Sequence, residues 1–114
     1  MKEAKSLELK KLRNILSVAK KAGKVCLGFD VAKVALMTGK GFLLLLSDDL
    51  SEGTKNSMIN IACRSHVKYR VIEASLEEFG NIVGKRVGVV AVIDWGFASK
   101  IDEIWEGETG GVLC

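Results

Sequence analysis

The stretch GNIVGKRVG, residues 80–88, combines two glycines with Lys85 and Arg86, the residue types that cradle phosphate in nucleotide-binding loops. Its spacing excludes a P-loop. One residue is missing between the glycines, and Arg86 stands where a magnesium-binding hydroxyl belongs. Its direction counts against a nucleotide as well: the segment follows a helical pattern and precedes a strand, so no helix N-terminus points at a bound phosphate. Two readings of the local residues remain open, a basic turn or an exposed loop that touches a polyanion through Lys85 and Arg86 and a base through Val87.

A second stretch, CLGFDVAK at 26–33, runs from a strand through Gly28 into a helix start. Free N–H groups face outward there, and glycine lets another backbone come close. Phe29 is either core or a stacking platform for an unpaired base. Lys33, with Lys24 before it and Lys40 after it, can contact phosphate.

Covalent chemistry has little support. His66 is the single histidine and has no Cys, Asp or Glu at a motif spacing beside it, so no catalytic residue is assigned. Asp48 and Asp49 follow an apolar strand pattern, where open α/β sheets place ligands, but they read more simply as cap and first-turn acids of the next helix. Cys26, Cys63 and Cys114 fit neither a zinc spacing nor a disulfide framework, so reduced thiols and no metal or cofactor are expected.

The elements that must carry these residues alternate along the chain. Leu9, Leu12, Ile15, Leu16 and Ala19 recur at helical spacing, with Lys10, Lys11, Arg13, Lys20 and Lys21 on the remaining face. A short strand over 24–27 follows. Next comes a helix capped by Asp30, with Val31, Val34, Ala35 and Thr38 on one face. FLLLLS, apolar on both sides, reads as a central strand covered by helices on each face. Ser51 begins a third helix, 67–72 alternates as a strand, Ser75 caps a helix over 75–83, and 87–94 is a buried strand. A last helix over 96–106 carries Phe97, Ile101, Ile104 and Trp105. Five helices and four strands predict an α/β fold, a three-layer α/β/α sandwich with a mostly parallel four-stranded central sheet. One domain over 1–106 and a flexible tail over 107–114 are expected.

Composition agrees with a globular chain. Of 114 residues, 48% are apolar and 27% charged, which excludes disorder. No apolar run exceeds the five residues of 42–46, far short of a membrane span, and the charged N-terminal segment is unlike a signal peptide, so a soluble cytoplasmic monomer without a membrane partner is expected. Net charge is +3 but unevenly spread: residues 1–70 hold 14 Lys and Arg against 6 Asp and Glu, and residues 71–114 hold 3 against 8. A basic half suggests a polyanion, although solvated lysine faces account for single clusters.

Order and residues together resemble the ribosomal kink-turn RNA-binding family, the L-seven-Ae family of ribosomal proteins, in its small bacterial YlxQ-like branch. LSVAKKAGKVCLG, TGKGFLLLLSDDLSEGT and EFGNIVGKRVGVVAVI carry the resemblance, which spans residues 9–98. It implies a non-enzymatic, ribosome- or translation-associated protein that clamps structured RNA between the glycine-led start of the second helix and the loop ahead of the last strand. Ribosomal or RNA-processing proteins are implied as further partners. Carried onto this chain, the RNA-binding residues are Lys24, Gly28, Phe29, Asp30, Lys33, Gly84, Lys85, Arg86 and Val87. The chain departs from strict kink-turn readers at Asp30, Val31 and Val34, where that pattern has Asn or Lys, then Glu, then Lys. Valine cannot hydrogen-bond a guanine edge. The alternative is a protein-interaction module that has lost base-specific readout, with Trp95 and Trp105 as core or as interface anchors.

Overall fold

A computed structural model describes residues 2–104, with side chains described from residue 7. The element order is α1 (Lys2–Lys21), β1 (Val25–Leu27), α2 (Phe29–Met37), β2 (Leu43–Ser47), α3 (Glu52–Arg64), β3 (Lys68–Ile72), α4 (Leu76–Val83), β4 (Val89–Val92) and α5 (Trp95–Glu103). The five helices and four strands follow the expected alternation. The tail expected over 107–114 lies outside the described residues, as does Trp105.

The sheet is mixed, which corrects the expectation of a mostly parallel one. Its order is β1-β4-β2-β3; only β2 and β3 pair in parallel, while β4 runs antiparallel to both β1 and β2. The cause lies in α4. A parallel crossover must return the chain to the end of the sheet where strands begin. Here α4 has eight residues, about 12 Å of helix, and packs on α1 without making that return. The segment of α4 with its following loop, residues 76–88, starts and ends beside the C-terminal end of β2. Asp49 Oδ2 accepts from the Leu76 backbone N–H at 3.1 Å, and the Ser47 N–H donates to the Gly88 carbonyl at 2.9 Å. Close packing at Gly88 fixes this junction, since a Cβ there would lie 2.6 Å from Leu50 Cδ2 and from Leu76 Cδ2. β4 therefore enters from the end where β3 stopped and slots between β1 and β2.

β2 is buried at all five positions, as its unbroken apolar pattern requires. Leu43 and Leu45 join Val90 and Val92 of β4, with Leu12, Leu16, Phe79 and Ile101, in one apolar cluster. Leu44 and Leu46 join Val89 and Ala91, with Ala32, Leu36, Met58 and Ala62, in the other. Alternation along a strand sends neighbouring side chains to opposite faces, so both faces of these two strands bury apolar area. Each fully buried Leu contributes about 1.5–3 kcal/mol relative to exposure.

α2 is turned relative to its expected face. Ala32, Ala35 and Leu36 are buried, whereas Val31, Val34 and Met37 are 52%, 60% and 65% exposed. Apolar residues surround this helix, so periodicity alone could not choose a side. Close approach to β4 chose the one with small alanines. Ser75 caps α4 as expected, in a capping box with Glu78, and the Ser51 side chain accepts from Thr54 N–H at the start of α3.

Candidate nucleic-acid interface

The start of α2 is set by Gly28. Its N–H donates to the Val89 carbonyl at 2.9 Å, which extends the sheet one residue past β1, and φ 109° with ψ 162° then turns the chain into the helix. That backbone region belongs almost entirely to glycine. Gly28 itself is the N-cap, and no side chain caps the helix, which corrects the capping role expected of Asp30. Asp30 instead lies exposed in the first turn. The N–H groups that open α2 therefore lack a capping acceptor.

The loop after α4 is held by its own backbone. Gly84 adopts the left-handed conformation at φ 76°, and the N–H groups of Gly84 and Lys85 both donate to the Gly80 carbonyl, at 2.8 and 3.1 Å. The Val87 N–H donates to the Lys85 carbonyl at 2.8 Å, which tightens the turn and leaves Arg86 at its tip. Val87 packs half-buried against the core, while Lys85 and Arg86 are exposed.

These two stretches meet. A Cβ placed on Gly28 would lie 3.8 Å from Val87 Cγ1 and 3.8 Å from Val31 Cγ2. Val87, Gly28 and Val31 thus lie side by side, next to the exposed loop cations Lys85 and Arg86, whereas exposed Lys33 is about 200° around α2 from Val31. A depression of about 880 Å³ adjoins the loop, lined by Leu76, Glu77, Asn81, Gly84, Lys85 and Arg86 among others. The arrangement suits a ligand that is both anionic and flat: cations for phosphate, an apolar strip for a base or sugar.

The remaining expected residues separate. Lys24 stands at the opposite end of β1 from Gly28, where its carbonyl accepts from Ile93 N–H, about 13 Å away along the strand. Phe29 is half-buried against the cluster that holds Ala32 and Leu36, so it serves the core. Lys20 was missed. It lies on the polar face of α1, and its Nζ donates to the Gly84 carbonyl at 3.2 Å, tying α1 to the loop. Its signal was present in the lysines of that face, but only the packing of α1 on α4 brings it to the site.

The other singled-out groups take structural places. His66 occupies an exposed turn at φ 57°. Ser51 caps α3 with Glu52 as its first-turn acid, so Asp48 and Asp49 do not take that expected place, and Asp49 instead accepts from the Leu76 N–H at the start of α4. Cys26 is a half-buried free thiol, while Cys63 is disulfide-bonded, contrary to the expectation of reduced cysteines. Trp95 is 69% exposed and makes an edge-on contact with Phe42 at 6.2 Å between ring centres, so it is not core. Among the described residues no cluster of three His, Cys, Asp or Glu could hold a metal, and no helix is long and apolar enough to cross a membrane.

Over residues 10–101 the chain matches the ribosomal protein L7Ae/L30e/S12e/Gadd45 family. The chain belongs to that family. Among its L7Ae-family relatives, the RNA-binding protein YlxQ of Enterococcus faecium is 29% identical over 98 residues, 85% of this chain and 93% of that one. The RNA-binding protein YlxQ of Bacillus subtilis (strain 168) is 33% identical over 88 residues, 76% of this chain and 87% of that one. A solved structure of a protein of unknown function from Bacillus halodurans C shares the fold, with TM-score 0.77 over 82% of this chain and 95% of that one at 24% identity.

Proposed function

We propose that this L7Ae-family chain is a non-enzymatic RNA-binding protein that holds structured, kink-turn-like RNA at the junction of Gly28 and Val87. The carrying observation is that junction: the glycine-led start of α2 and the loop before β4 lie within van der Waals reach, with the exposed loop cations Lys85 and Arg86 beside them. Lys85, Arg86 and Lys33 contact phosphates, the backbone at Gly28 and Gly84 admits the RNA strand, and Val31 with Val87 supports a base or sugar. A cytoplasmic, ribosome- or translation-associated role for a monomer, with ribosomal or RNA-processing proteins nearby, fits the family and its RNA-binding relatives. A three-layer α/β/α arrangement goes with this reading and is supported by the two separate apolar clusters.

The test is titration of a kink-turn RNA and a matched plain duplex at several salt concentrations. Replacing Lys85 and Arg86 together by Ala should lower the slope of log affinity against log salt by roughly two units. An unchanged affinity and slope would refute the clamp.

A second reading rests on the exposed Val31, Val34 and Met37, of which Val31 and Val34 stand where the family's strict kink-turn readers carry polar groups. That apolar stripe would dock a protein, and a partner captured equally well after ribonuclease treatment would favour it.

A further inference from the structure

We infer that the groove between α1 and α4 is a second phosphate track, which extends the proposed RNA surface away from the Gly28–Val87 junction along α1. The inference rests on the RNA-binding reading and names where the rest of the RNA backbone runs.

The groove has a volume of about 450 Å³ and is lined on the α1 side by Arg13, Ser17, Lys20 and Lys21 and on the α4 side by Asn81 and Gly84. No carboxylate lines it. Positions 13, 17, 20 and 21 fall on one side of a helix, and the distance from Arg13 to Lys21 is about 12 Å along the axis. Asn81 and Gly84 also line the larger depression beside Lys85 and Arg86, so the two concavities meet at these residues.

Lysines in the last turn of a helix ordinarily offset its dipole, which accounts for Lys20 and Lys21 by themselves. That explanation does not extend to Arg13, two turns upstream. Lys20 is also committed elsewhere, since its Nζ donates to the Gly84 carbonyl and thereby fixes α1 against the loop. An ammonium has three donors, so two remain for a phosphate oxygen. Some basic residues elsewhere in the fold are neutralised, Lys55 by Glu52 and both Lys68 and Arg70 by Asp102. Among the described ion pairs none involves Arg13, Lys20, Lys21, Lys85 or Arg86. A file of cations outside any described ion pair, over a floor of the almost wholly buried Ile82 and Val83, suits the sugar-phosphate backbone and carries no sequence information.

The experiment compares wild type, R13Q/K20Q/K21Q and the remote control K55Q/R64Q/K100Q, each binding a kink-turn RNA with extended stems and a matched plain duplex across a salt series. The groove variant should lose two to three units of salt slope and weaken both RNAs by the same factor, so that their affinity ratio stays at the wild-type value. The control should lose less than one unit. Wild-type binding with a slope unaltered in the groove variant overturns the track, as does a control that loses as much. Absence of salt-dependent binding by the wild type overturns the RNA reading itself. Thermal melts establish that the variants fold, and the single changes R13Q and K21Q, each expected to remove about one unit, keep the test decisive if the triple variant does not.

Discussion

The edge of the sheet at β3 and the face formed by α1 and the α4–β4 loop are both rich in cations and treat them in opposite ways. At the edge, Lys68 Nζ lies 2.6 Å from Asp102 Oδ2 and Arg70 Nε lies 2.8 Å from Asp102 Oδ1, so one carboxylate of α5 serves two cations. Arg70 is only 8% exposed, and a charge so deeply placed requires a partner. Burial alone would raise the Asp102 pKa; the hydrogen bonds from Lys68 and Arg70, aided by their charges, outweigh it and hold the carboxyl below its ordinary value. On the other face Lys20, Lys85 and Arg86 are exposed, and Lys20 meets a carbonyl instead of an acid. The contrast shows that part of the basic excess in the first 70 residues is consumed by the fold. Only what the fold leaves unneutralised is free for a polyanion.

Breaking the edge should have the largest effect on stability. Asp102→Ala leaves the buried Arg70 guanidinium without this carboxylate and should cost about 2–3 kcal/mol in urea unfolding, with RNA affinity of the surviving folded protein unaltered. If that variant instead loses RNA binding and keeps its stability, the division between the two regions is wrong. Gly28→Ala comes next. Space is not the obstacle, since its Cβ contacts would be ordinary at 3.8 Å, but φ 109° is strained for alanine and should cost about 1–3 kcal/mol along with RNA affinity.

Acid sharpens the comparison further. The folded pKa of Asp102 is depressed, so its stabilising contribution is present above the unfolded value, about 3.9, and is lost as pH falls through the lower folded value. Asp102→Asn should therefore flatten the fall in stability below about pH 4 relative to wild type, measured by urea midpoints at each pH. The smallest change is expected on the other face. Replacing Lys85 and Arg86 by Ala should move stability by no more than about 0.5 kcal/mol, because neither cation has an ion-pair partner among the described residues. A larger loss would mean that the loop cations hold the fold and not a ligand.

Much of this was legible in the chain itself. The doubly apolar FLLLLS could only be an inner strand, and Ser51 and Ser75 announced helix starts that form as expected. The two glycine-led stretches were visible because Gly28 and Gly84 break apolar patterns beside basic residues. Their contact was not, because nothing local in either stretch specifies the other. Lys24 shows the reverse error: four residues from Gly28 in the chain, it lies at the far end of a strand.

Local pattern determined the elements, their alternation and the burial of β2, since propensity, capping and apolar run length act over a few residues. Tertiary structure alone decided the direction of β4, the inward face of α2 and the meeting of Lys20 with Gly84. Each of these depends on how elements far apart in the chain pack. A short α4 held beside β2 reverses a strand, small alanines let α2 approach β4, and α1 against α4 carries a lysine to a carbonyl 64 positions away.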